Sequence, residues 1–149
     1  MEYRRKSPDA VARVCGGKEL PGISGCVQFY QEDRCVLVVA RIVGLPKKTD
    51  AGFFGFHIHQ GESCFGAGFS ETGSHYNPAD QIHPKHAGDL PALLEYQGKA
   101  YLSVKTDRFC VNDVIGRTVV IHSGPDDFHS QPAGNAGNKI ACGVIQKYR

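Results

Sequence analysis

Seven histidines occur in this chain of 149 residues, and all lie between positions 57 and 129. The first two sit in Gly55-Phe56-His57-Ile58-His59. Residues two apart on a strand share a face, so both imidazoles could reach one ion. Taken alone, such a pair more often marks a solvent-facing strand. The second group is His75, in Ser74-His75-Tyr76-Asn77-Pro78, together with His83, His86 and Asp89. Three imidazoles and a carboxylate within fifteen positions make a full tetrahedral set for zinc, which accepts both donor types. Prolines and glycines among them let the chain wrap a centre. His122 closes the apolar run Val119-Val120-Ile121 and alone would read as structural. Taken together, these groups hold more imidazoles than one tetrahedral zinc can use. That points to two metals, and the all-imidazole remainder suits copper.

Such ligands need a rigid frame. Short runs rich in Val, Ile and aromatics occupy residues 10–15, 27–31, 35–43, 53–59, 93–96, 100–104, 118–122 and 140–145. No run has a 3.6-residue period, and turn residues separate them. Eight short strands of this kind predict an antiparallel sandwich or barrel. Residues 60–91 and 123–139 are rich in Gly, Pro, Asp and His or Asn, and loops of that length in a small domain are usually functional.

The length suits one domain, residues 1–149, and 41% hydrophobic residues suffice for a core. A net charge of +2 without a basic cluster argues against nucleic acid as partner. No stretch approaches a membrane span. Residues 1–8 are charged and lack a leader's apolar run, so the sequence as given reads as soluble and cytoplasmic. A periplasmic or extracellular location is expected only if a leader was removed. Six irregularly spaced cysteines with no C-x-x-C motif give no indication of a zinc ribbon or a thioredoxin-type pair.

The motifs Gly55-Phe-His-Ile-His-Gln60, His75-Tyr-Asn-Pro78, His86-Ala-Gly-Asp-Leu90 and Gly134-Asn-Ala-Gly-Asn-Lys-Ile-Ala-Cys-Gly143 occur in that order. With them, residues 10–145 resemble the copper/zinc superoxide dismutase family. The resemblance implies an eight-stranded antiparallel Greek-key β-barrel with two long functional loops. It implies that His57, His59, His75 and His122 hold copper, and that His75, His83, His86 and Asp89 hold zinc, with His75 bridging. Asp126 matches an aspartate linking a copper ligand to a zinc ligand, and Cys64 and Cys142 match an intrasubunit disulfide. Cys15, Cys26, Cys35 and Cys110 gain no role and are expected as buried small hydrophobes. His129 also gains none, and is expected as a solvated polar residue.

The implied activity is disproportionation of superoxide by copper redox cycling, with His75 passing a proton. Most members carry arginine where Lys139 stands. Lys139 is thus the expected cation that guides the anionic substrate. The two residues between His83 and His86 make a short zinc loop, as in some bacterial members. A homodimer is compatible with the resemblance, and no copper donor is indicated. The rival reading is a dismutase-like protein that stores or delivers copper.

Overall fold

Alternating apolar side chains along the first three strands bury one face of each. In the computed structural model, which describes residues 6–47 and 51–148, β1 (Ala10–Gly16), β2 (Ser24–Gln31) and β3 (Val36–Val43) form an antiparallel meander. Ala10, Ala12 and Val14 point inward from β1, Val27 and Phe29 from β2, and Val36, Val38, Ala40 and Ile42 from β3. There follow β4 (Phe53–Phe54), β5 (Phe56–His59), β6 (Leu93–Leu94), β7 (Ala100–Thr106), the one-turn helix α1 (Val111–Val114), β8 (Thr118–His122) and β9 (Lys139–Lys147).

Seven strands form one curled antiparallel sheet in the order β5-β8-β9-β1-β2-β3-β7, and β4 pairs with β6. β4 runs into β5, and β6 turns into β7 through a Tyr96–Lys99 bridge. The β4–β6 ribbon therefore links the sheet's two outer strands. The first strand pairs with the last, and β8 lies between β5 and β9, which are crossing connections of the Greek-key kind.

Two expectations from the sequence need correcting. Residues 53–59 form two strands, because the Gly55 N–H donates to Gly124 O at 2.9 Å and its carbonyl accepts from His122 N–H at 2.8 Å. Gly55 thereby leaves the β4 ladder, and the eight expected runs become nine strands among the described residues, two of them only two residues long. The unpaired cysteines are not buried. Cys15 and Cys110 are exposed, and Cys26 and Cys35 are half-buried. Cys15 alternates with the inward Ala12 and Val14 and so falls on the outer face of β1.

The frame dictates where the histidines go. Phe56 and Ile58 fill the core, so His57 and His59 face outward from β5. Val119 and Ile121 point inward from β8, which turns His122 out beside them. A register shift between Ile121 and His122 pairs His122 with Lys139; such bulges re-aim a side chain. Yet His57, His59 and His122 are 0%, 2% and 3% exposed. The two long loops cover this outer face and make it a second, polar interior.

Candidate metal centre

The free edge of β5 carries the first loop. Ile58 N–H donates to Gly88 O and Ile58 O accepts from Tyr76 N–H, both at 2.8 Å. Isolated bridges set His75 opposite His59 and Asp89 opposite His57. The backbone of Gly88 lies so close to Ile58 O that no side chain would fit there. The second loop reaches in with Asp126. A Cβ on Gly134, which has φ +71°, would collide with the Asp126 carboxylate and His83 Nε2.

Hydrogen bonds fix which nitrogen of each ring is left over. His57 Nε2–H and His83 Nε2–H donate to the two oxygens of Asp126, each at 2.8 Å. His59 Nδ1–H donates to Gly73 O at 2.8 Å, and His122 Nδ1–H to Gly137 O at 3.3 Å. Each of these rings keeps one lone pair: Nδ1 on His57 and His83, and Nε2 on His59 and His122. Among the described residues, three buried ring nitrogens, His57 Nδ1, His75 Nε2 and His83 Nδ1, have no hydrogen-bond partner.

These leftover atoms converge at two points. His57, His59, His75 and His122 offer ligand atoms within 4.8 Å of one another, as do His57, His75, His83 and Asp89. His57 falls in both groups because its ring centroid is 4.0 Å from that of His75, but it has only one free nitrogen. His86 completes the second group, with Nδ1 3.1 Å from His75 Nδ1 and 3.2 Å from Asp89 Oδ2. His75 Nδ1 lies 2.8 Å from Asp89 Oδ1.

Two contacts are those expected of ligands gathered around cations. His59 Nε2 and His122 Nε2 lie 3.2 Å apart, lone pair against lone pair. His83 Nδ1, also a lone pair, lies 3.0 Å from Asp89 Oδ2 without hydrogen-bond geometry. Donors around a tetrahedral zinc, each ~2.0–2.1 Å from it, stand about 3.3 Å from one another. The residues therefore fit two bound ions.

Electrostatics agree. Burial pushes His59 down to about 2 and His122 down to about 3, so both rings are neutral and ready to ligate. Burial also lowers His57 and His86. Burial alone would raise Asp126, but the N–H groups of His57 and His83 hold it far below the usual carboxylate range. It stays an anion joining the two groups.

Cys64 and Cys142 form a disulfide, with Cα atoms 5.9 Å apart, bolting the first loop to β9. Lys139 Nζ donates to Thr72 Oγ1 at 2.7 Å and to Gly73 O at 3.0 Å. His129 lies apart from the cluster, exposed, with Nδ1–H on Asp127 O at 2.9 Å. The four unpaired cysteines also lie outside the cluster, whereas the histidine and aspartate ligands, Asp126 and Lys139 sit in the centre or at its rim.

Sequence reasoning missed several supports. Gln131 pairs with the His83 backbone, accepting from its N–H at 2.8 Å and donating to its carbonyl at 2.7 Å. Arg108 donates to Pro84 O at 2.7 Å and His86 O at 3.1 Å. Thr72 and the Gly73 and Gly137 carbonyls were also unmarked. No signal could have found the carbonyls, since every residue has one.

A curled Greek-key sheet carrying six buried imidazoles and two carboxylates, arranged as two adjoining ion sites, defines a class of binuclear metalloproteins. The model of the copper/zinc superoxide dismutase family matches residues 23–145. Superoxide dismutase (Cu-Zn) 3 of Arabidopsis thaliana is 34% identical, with 97% of this chain and 94% of the relative covered. Superoxide dismutase (Cu-Zn) 2 of Aquifex aeolicus (strain VF5) is 34% identical over 83% of this chain and 80% of the relative. The chain belongs to the copper/zinc superoxide dismutase family.

Proposed function

We propose that the chain disproportionates superoxide to O2 and hydrogen peroxide with bound copper and zinc. The all-nitrogen group, His57 Nδ1 with Nε2 of His59, His75 and His122, suits copper. The group with a carboxylate, Nδ1 of His75, His83 and His86 with Asp89, suits zinc. One observation carries the reading: the opposed lone pairs of His59 and His122, 3.2 Å apart in a buried site.

When bound, copper supplies one-electron exchange in both directions, which zinc cannot. The residues supply the rest. His75 serves both groups, Nδ1 toward Asp89 and Nε2 without a hydrogen-bond partner. That Nε2 holds a proton in one half of the cycle and passes it to the peroxide product in the other. The second proton comes from water. Asp126 sets the tautomers of His57 and His83 and so aims one nitrogen into each group. Neutral rings at His59 and His122 keep lone pairs available at every physiological pH. The Lys139 ammonium at the rim draws in the anion.

Elemental analysis after loading tests the composition. One copper and one zinc per chain are expected, with a type of copper electron paramagnetic resonance signal that shows nitrogen ligands. A chain saturated by one metal, with no copper signal, would contradict the assignment.

A further inference from the structure

We propose that Thr72 is the positioning residue for Lys139, and that its hydroxyl lets a lysine serve where most of the family carries arginine. The proposal rests on the reading of Lys139 as the substrate-guiding cation. Arginine presents a planar fork of donors that locks onto fixed acceptors, whereas lysine is a point charge on a flexible four-carbon stem. A lysine here needs acceptors placed around its nitrogen.

The chain supplies them in a particular way. Thr72 is fully buried, and its β-branched side chain has restricted rotation. Its hydroxyl proton goes to Phe69 O at 2.8 Å. The oxygen can therefore only accept from Lys139, which donates to it at 2.7 Å. A second N–H of the ammonium goes to Gly73 O, 3.0 Å away. That same carbonyl accepts Nδ1–H of His59 at 2.8 Å. Cation and copper-side imidazole are thus keyed to one peptide oxygen. An ammonium has three N–H donors, so one remains for an anion.

The holding segment is itself anchored. Thr72 ends the 3-10 turn Ala67–Thr72, and its carbonyl accepts from Gly61 N–H at 2.8 Å. The turn lies within the loop that the Cys64–Cys142 disulfide ties to β9, the strand that begins with Lys139.

The test uses the full-length, disulfide-intact, copper- and zinc-loaded chain. Thr72→Val keeps the branched shape and removes the acceptor, and Thr72→Ser restores a hydroxyl. The first readout is the rate at which an acetyl N-hydroxysuccinimide ester labels Lys139, followed by peptide mass mapping. Thr72→Val should label roughly threefold faster or more, and Thr72→Ser close to wild type, because a released amine is free to react. The second readout is kcat/KM for superoxide. Thr72→Val should lose roughly three- to tenfold, since orientation is lost. Its ionic-strength dependence should match wild type, since the charge remains. Lys139→Glu should lose rate and reverse that dependence. Wild-type labelling and wild-type kcat/KM in Thr72→Val would overturn the proposal. If Lys139→Glu leaves the rate unchanged, the guiding role of Lys139 fails, and faster labelling of Thr72→Val then marks a structural contact only. Should Thr72→Val not fold, Thr72→Ala removes the same acceptor and carries the same expectations.

Discussion

Asp126 shows how much of this centre depends on single atoms. Its two oxygens take one N–H from His57 and one from His83, so one carboxylate fixes the aim of a nitrogen in each metal group. Asp126→Asn keeps the shape but offers only one oxygen. Its amide nitrogen would face a ring N–H or force that ring to its other tautomer. Metal affinity should fall by about 10- to 100-fold, the usual cost of losing a partner behind a ligand. Competition with a chelator measures this; unchanged copper and zinc affinities would show that the rings are held by something else.

Elements matter because they turn residue types into positions. The period of two that places His57 and His59 on one face of β5 was legible, since strand geometry alone requires it. So was the convergence of His83, His86 and Asp89, which lie close in sequence. What could not be read was the bridge of His75 against His59, which depends on how a loop docks on a strand edge. The contact of Lys139 with Thr72 joins residues 67 positions apart and has no local signature. The break of residues 53–59 at Gly55 follows from backbone bonds to Gly124 and His122, and the outward positions of Cys15 and Cys26 follow from register. The Cys64–Cys142 bond spans 78 positions. Closing a loop of that length contributes ~4 kcal/mol in the chain-entropy model. The variant Cys64→Ser should therefore show a lower denaturation midpoint. It should also lose hydrogen-exchange protection around Thr72 and Gly73, the segment that holds His59 and Lys139. Unchanged protection there would mean that the loop docks without its bolt.

For the whole molecule, six buried imidazoles are a burden without metal. Burial depresses His59 to about 2 and His122 to about 3, against an ordinary value of 6.5. The unfolded chain takes up protons on these rings as pH drops below 6.5, and the folded chain does not. Stability present above pH 6.5 is thus lost progressively toward pH 3, by about 1.4 kcal/mol per pH unit for each group. Asp126 adds loss in the same direction at lower pH, because its folded-state value is depressed too. Urea midpoints of the metal-free chain should therefore fall between pH 7 and pH 5, and those of the zinc-loaded chain at least as steeply, because bound zinc also keeps its ligand rings unprotonated. Equal midpoints at both pH values in the metal-free chain would show that the rings are not buried as described.

Dismutation by this chain is tested most directly by superoxide decay followed after pulse radiolysis, with chain loaded to one copper and one zinc. Decay should be first order in superoxide, proportional to copper content, and slower as ionic strength rises, because salt screens the attraction of an anion to Lys139. Decay at the spontaneous rate, in chain whose copper and zinc content has been verified, would contradict dismutation.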